Sequence, residues 1–312
     1  MNLKDKALYH LCKWPVWGMS LLPLRALYAL SDILYALAYH VARYRIGVVR
    51  KNLSESFPEK SKSELRAIER RFYRFFCDYM VETVKMATIS KEEMGRRIRF
   101  HNMELIDEAV SKGHSIALYI GHYCNWEWIT YIANLRPRGT YPGHIYHALE
   151  SKAMDRLLLE IRSTMGSENI EMANILRVIA QNRSIGKKMV IGFIGDQAPF
   201  WNNIHHWLTF LNHPDTPVLT GTETIAKKYD FSCVYLAMTR PRRGYYDVEV
   251  KMLAEDPRGL PGWSVTDAYF KALEESIRQA PEFWLWTHKR WKRTREEYDK
   301  MEQFKRKARR QR

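Results

Sequence analysis

From about residue 99 the chain alternates. Short β-rich runs, "SIALYIG", "GHIYHAL", "MVIGFIGD", "CVYLAMT" and "YYDVEVKML", are separated by stretches of helical periodicity. This alternation restricts the fold more than any other feature, because strands that return through helices pair in parallel, with the helices covering the sheet. Helices are expected near 104–112, 124–135, 151–165, 172–184, 217–229 and 264–280, followed by an aromatic, basic C-terminal helix. The expected class is therefore α/β, a mixed, partly parallel central sheet flanked by helices. In such sheets, binding and catalytic groups gather beyond the carboxyl ends of the strands.

Before residue 99 the signals are helical. Ser61 with Glu64 and Ser90 with Glu93 have capping-box spacing, and "ELRAIERRFYRFFCDYMVETVKMAT" between them reads as one long amphipathic helix. Residues 14–42 are strongly apolar, but Pro23, Arg25 and Asp32 interrupt them, so an uncharged run of ~20 residues, the length a membrane span needs, never occurs. Arg25 and Asp32 share a helical face, and Lys4, Lys6, Lys13, Arg43 and Arg45 flank the segment. That pattern suits a helix pair lying in one leaflet, the alternative being a core helix of a soluble protein. No small-residue cleavage site follows a compact apolar core, as a secretory signal would require. The expected organisation is a membrane-associated helical anchor over 1–45, a helical segment over 46–98 packing on the core, and an α/β domain over 99–312 that ends in a basic helix.

The formal charge is +15, and from Lys289 to Arg312 twelve Lys or Arg face only Glu296, Glu297, Asp299 and Glu302. Such a tail attracts anionic lipid, an acidic protein or nucleic acid. A nucleic-acid partner is not expected, because the chain contains no recognisable module for one. Cys12, Cys77, Cys124 and Cys233 are scattered without CxxC spacing, which fits a reducing compartment. His205, His206 and His213 have no carboxylate or thiol at ligand spacing, so no metal is expected.

The stretch "LYIGHYCNWEWITYI" places His122 as the first polar residue beyond an apolar strand, with Glu127 five residues later. On a continuous α-helix these two side chains diverge by roughly 140°. If His122 lies in the turn and Glu127 on the first helical turn, imidazole and carboxylate can meet, and a histidine oriented by an acid is a general base. No GxSxG elbow supplies a nucleophile, and the bulky neighbours of Cys124 argue against a cysteine nucleophile, so the attacking hydroxyl or amine would come from a substrate.

"GHYCNWEW" resembles the HxxxxD/E motif of the lysophospholipid-acyltransferase-like superfamily, in the "NWE" form found in the bacterial lipid A biosynthesis acyltransferases. "VRKNLSESFPEKS", "DRLLLEIRSTMG", "GDQAP", "PVLTGTETIAKKYDFSCVYLAMTR" and "EFWLWTHKRWK" resemble further segments of that family in its own order, over nearly the whole chain. The resemblance implies His122 as general base with Glu127 as its partner, and Asn125 shaping the turn or binding a substrate oxygen. It implies Arg162 at a phosphate or thioester oxygen, Asp196 and Gln197 bordering the acceptor site, and Thr220 and Gly221 opening a helix that faces it. Plainer readings are an ion pair for Arg162, a cap for Asp196 and turn chemistry for Thr220 and Gly221. Family members commonly carry glycine where this chain has Cys124 and are often richer in Phe where it has Tyr123.

The implied activity moves a fatty acyl group from an acyl carrier protein or coenzyme A thioester to a hydroxyl of a lipid A precursor, without a cofactor, at the cytoplasmic face of a bacterial inner membrane. Acylation of an aminoacyl lipid or lysophospholipid, and a non-catalytic lipid-binding relative, are the alternatives.

Overall fold

A computed structural model of the protein describes residues 2 to 310, with side chains described as far as Lys305. The end of the basic tail, from Arg306 on, therefore lies outside the described side chains. The chain opens with five helices, α1 (Leu3–Ser20), α2 (Leu24–Tyr35), α3 (Ile46–Ser56), α4 (Lys62–Lys85) and α5 (Lys91–Arg97), and residues Ala36–Val41 widen into a π turn after α2. Asn2 caps α1 and Ser61 caps α4, each in a reciprocal capping box, while Ser90 caps α5 through the Glu93 amide.

The α/β part follows as β1 (Ile98–His101), α6 (Glu104–Ser111), β2 (Ser115–Ile120), β3 (Tyr141–Tyr146), α7 (Lys152–Ser163), β4 (Glu168–Glu171) and α8 (Ile175–Ser184). It continues through β5 (Met189–Ile194), β6 (His206–Phe210), β7 (His213–Val218), α9 (Gly221–Tyr229), β8 (Phe231–Arg242), β9 (Tyr245–Ala254), α10 (Ser264–Gln279) and α11 (Arg295–Arg310). Seven strands form one sheet in the order β1-β9-β8-β2-β5-β3-β4, in which only the β8–β9 hairpin is antiparallel. The expected α/β class, a partly parallel sheet between helices, is thus realised, and the sheet is mostly parallel. β2 is buried at every residue, as a central strand covered on both faces must be.

Three local expectations differ. The helix expected over 124–135 is a tight 3₁₀ segment covering only Trp128–Asn134. β1 and β4 are edge strands of four residues each, too short to leave an alternating pattern in the sequence. β6 and β7 form a separate hairpin in a stretch whose Asn, His and Pro residues hide its strand character.

The N-terminal helices are tied to the α/β part by buried charge. Asp78 on α4 accepts from Ser31 on α2 at 2.7 Å and from Arg240 on β8 at 2.7 Å, while Arg243 bridges Asp78 to Asp32. On the opposite flank, Tyr9 and Lys13 of α1 reach Glu160 of α7. Among the described residues no helix is long and apolar enough to cross a membrane. Yet eleven of the twenty-one large exposed apolar side chains among the described residues, including Leu11, Trp14, Trp17, Leu37 and Val41, fall within the first 45 residues.

Candidate active site

The parallel strands β2 and β5 are neighbours, and their register pairs Ile120 with Ile194. Each strand then ends in the same way, "Ile-Gly-His" on β2 and "Ile-Gly-Asp" on β5. Because the two chains leave the sheet in step, the residues two positions beyond that pair arrive side by side. His122 Nδ1 lies 2.6 Å from Asp196 Oδ1, and the His122 amide donates to Asp196 Oδ2 at 2.9 Å. Gly121 leaves little room at the exit of β2: a Cβ there would come within 2.7 Å of the Leu273 side chain on α10, which would have to shift.

The expected pairing of His122 with Glu127 is not the one the fold makes. Cys124 adopts φ +51°, which turns the chain sharply and carries Glu127 to the start of the 3₁₀ segment. There its carboxylate is gripped by both arms of Arg162 from α7, at 2.7 Å and 2.6 Å, and approached by the Tyr79 hydroxyl at 3.4 Å. This bidentate geometry is the strongest form of carboxylate–guanidinium contact. Arg162 is thus an ion-pair partner of the motif's acid, the plainer of its two readings. The left-handed turn at Cys124 also gives a physical reason for glycine at that position, since non-glycine side chains there cost roughly 1–2 kcal/mol.

Asn125 is fully buried and shapes the turn. Its Oδ1 accepts from the Trp128 amide at 3.2 Å, while its Nδ2 donates at 2.7 Å to Glu82, a buried carboxylate that also accepts from Tyr246. With both ends of its amide bonded inside the protein, Asn125 does not reach a substrate. Gln197 does stand at the site, its Nε2 lying 3.2 Å from His122 Nε2. Thr220 and Gly221 begin α9, and among the described residues neither shares a hydrogen bond with His122 or Asp196.

The C-terminal tryptophan-rich stretch closes the site from behind. Trp284 Nε1 donates to Asp196 Oδ2 at 2.8 Å, Leu285 N donates to the His122 carbonyl at 3.1 Å, and Cys124 N donates to the Phe283 carbonyl at 2.9 Å. Trp284 is a site residue that the sequence motif marked only as a resemblance. Nothing local signals that its indole would meet an acid 88 positions earlier.

These contacts set the electrostatics. Asp196 is 1% exposed, and burial alone would push its carboxyl up. The opposing charge of His122 and the hydrogen bonds from His122 and Trp284 outweigh burial and hold it at about 2. An ionised Asp196 accepts only, so the neutral form of the His122 ring carries its proton on Nδ1 and turns Nε2, as an acceptor, toward the Gln197 amide. The imidazole side chain is 19% exposed, neither sealed in the core nor free in solvent, and the Trp126 ring stands edge-on to it at 5.1 Å. A cleft of about 370 Å³ between α10 and β8–β9 includes Tyr123 but not His122.

A strand-end histidine held by a buried acid, followed by Asn-Trp-Glu, is accompanied by a match of residues 4–293 to the family model described as bacterial lipid A biosynthesis acyltransferase. The chain belongs to this family. It is an acyltransferase that acts on a lipid A-like acceptor. No curated protein matches this acyltransferase significantly. The family match ends at residue 293, so α11 and the part of the basic tail that follows lie beyond it.

Proposed function

We propose that the protein transfers a fatty acyl chain from a thioester donor to a hydroxyl of a lipid A precursor, with His122 as general base. Nε2 of His122 removes the hydroxyl proton as the oxygen attacks the thioester carbonyl, and the C–O bond forms while the carbonyl electrons move to oxygen. Collapse of this tetrahedral species breaks the C–S bond, and the imidazolium returns its proton to the departing sulfur. The enzyme forms no covalent intermediate. Asp196 fixes the tautomer that presents Nε2 and stabilises the imidazolium. Gln197 marks the acceptor position, since a substrate hydroxyl would take the place its amide now holds at Nε2. Glu127 is assigned to fixing Arg162 and the turn after His122.

The observation that carries this reading is the 2.6 Å His122–Asp196 contact at the paired strand ends. Acyl carrier proteins are acidic, and a chain of charge +15 favours an acidic donor over a neutral one. The exposed Leu, Trp and Val side chains of the first 45 residues are assigned to one leaflet of the bilayer, on the cytoplasmic face of the inner membrane where thioester donors are available. The Thr220–Gly221 start of α9 is assigned to the far border of the acceptor site.

The test is transfer of acyl groups from acyl carrier protein thioesters to a panel of lipid acceptors, with wild type and His122→Ala compared. A fall in turnover of at least ~100-fold, with the fold retained, is expected on losing the base. Equal turnover by the folded variant refutes it.

A further inference from the structure

Glu82 of α4 is a buried acid that this scheme does not use, yet it holds the motif after His122 at two points. Its side chain accepts from Asn125 Nδ2 at 2.7 Å, and its backbone carbonyl accepts from the Trp128 indole at 3.2 Å. The same carboxylate accepts from Tyr246 of β9 at 2.6 Å and from Tyr28 of α2 at 2.8 Å, with Arg240 of β8 3.7 Å away. Glu82 and Asn125 are both fully buried. Every group that meets the Glu82 side chain in this way is a donor, so an acceptor-only carboxylate satisfies all of them. Three elements outside the motif, α2, β8 and β9, thereby fix where the acid sits.

What this acid holds is the strained part of the motif. Cys124 has φ +51°, a conformation that a residue with a Cβ adopts only at a cost. On one side the bend is tied by the Cys124 amide, which donates to the Phe283 carbonyl at 2.9 Å. On the other it is tied by Asn125, whose Oδ1 accepts from the Trp128 amide at 3.2 Å while its Nδ2 rests on Glu82. Without Glu82, Asn125 would keep an unsatisfied buried donor and the bend would lose its outer tie. His122 lies two residues before Cys124 and Glu127 three after it. Relaxation of Cys124 to an ordinary backbone conformation would therefore shift the imidazole against Asp196 and swing Glu127 off Arg162.

We propose that Glu82 is a positioning residue for acyl transfer, holding the left-handed turn at Cys124 through Asn125 and so keeping His122 on Asp196 and Glu127 on Arg162. This rests on the reading of His122 as general base. Among the described residues no hydrogen bond joins Glu82 to His122 or Asp196, so its effect is carried by the turn.

The test is turnover of an acyl carrier protein thioester with a lipid A precursor by the full-length protein, with circular dichroism as the check on folding. Glu82→Leu removes the acceptor at similar volume. Glu82→Gln keeps it, because the amide oxygen can face Asn125 and Tyr246 while the amide nitrogen donates to the Tyr28 hydroxyl. Each is made in the wild-type chain and in Cys124→Gly, where a left-handed turn is no longer strained. In the wild-type background Glu82→Leu is expected to lower kcat by about 10–100-fold with KM little changed, the size of a lost hydrogen bond to a charged group, and Glu82→Gln is expected to change little. In the Cys124→Gly background the loss caused by Glu82→Leu should shrink by at least ~5-fold, because the turn no longer needs the tie. An unchanged kcat in folded Glu82→Leu overturns the proposal, as does an equal loss in both backgrounds, which would report the burial of an acid and not the turn. A Glu82→Gln enzyme as impaired as Glu82→Leu overturns it too. Should Glu82→Leu not fold, Asn125→Asp sets two carboxylates against each other and should lower kcat, and adding Glu82→Gln, whose amide can donate across the contact, should recover it. A folded double variant without recovery overturns the proposal. Full turnover in His122→Ala would instead refute the general-base reading, while the coupling between positions 82 and 124 would still report whether the turn governs kcat.

Discussion

Replacing Asp196 with Asn changes the side chain's size little and removes its charge. The carboxylate accepts from His122 Nδ1 at 2.6 Å, from the His122 amide at 2.9 Å and from Trp284 Nε1 at 2.8 Å. A carboxamide cannot satisfy all three donors, because one of its ends is itself a donor. Either the imidazole moves its proton to Nε2, the atom that must accept the substrate proton, or the Trp284 and backbone contacts are lost. The charge term can be scaled separately. An imidazolium and a carboxylate with centres ~4 Å apart attract by about 4 kcal/mol at an effective dielectric of ~20. Losing that attraction in the transition state lowers the rate about 10³-fold. The expected result is a fall in kcat of at least ~10³ with KM little changed, because the attraction develops only as the proton moves. The assay is turnover of an acyl carrier protein thioester with a lipid A precursor, with circular dichroism as the check on folding. Glu127→Gln serves as the comparison. It weakens the Arg162 pair but leaves the Nδ1 bond in place, so the acidic limb of its pH profile should not move. A folded Asp196→Asn enzyme within ~10-fold of wild type, or a Glu127→Gln enzyme whose acidic limb shifts, would refute the assignment of Asp196 as the partner of His122.

Two further outcomes follow from the same structure. Burial holds His144 and His288 at about 4, against an ordinary value of 6.5. The unfolded chain therefore binds these protons first as the pH falls, and stability is lost between pH 6.5 and 4 by roughly 3 kcal/mol for each histidine. Chemical denaturation across that window should show the loss, and a flat profile would exclude it. Asp196, held at about 2 against 3.8, contributes stability that is lost only below that window, as the pH falls from 3.8 through 2. Trp14 and Trp17 are 61% and 46% exposed on α1. Changing both to Ser should weaken binding to anionic vesicles at least ~10-fold, judged from the apolar surface each would bury in a bilayer. Unchanged co-sedimentation would move the membrane contact elsewhere.

Local chemistry was readable along the chain. The capping box expected at Ser61 closes through Glu64 three residues on, and the buried run of β2 is apolar at nearly every position, so the sequence around each segment decides its conformation. The strand-end location of His122 and the ordered family motifs were equally visible, and they led to the acyltransferase family. The partner of His122 was not visible. Glu127 is five positions away and Asp196 is 74, yet the nearer acid turns to Arg162. The turn at Cys124 carries it off, while sheet register delivers the distant acid. One signal was present, the matching "Ile-Gly-His" and "Ile-Gly-Asp" strand ends, but it has meaning only once β2 and β5 are known to be paired in register. Trp284 likewise acquires its role from the docking of the C-terminal stretch behind those strand ends. Periodicity and capping depend on neighbours in sequence, and a chain states them directly. Which charges meet inside the protein depends on how strands align and segments dock, and only the three-dimensional packing decides that.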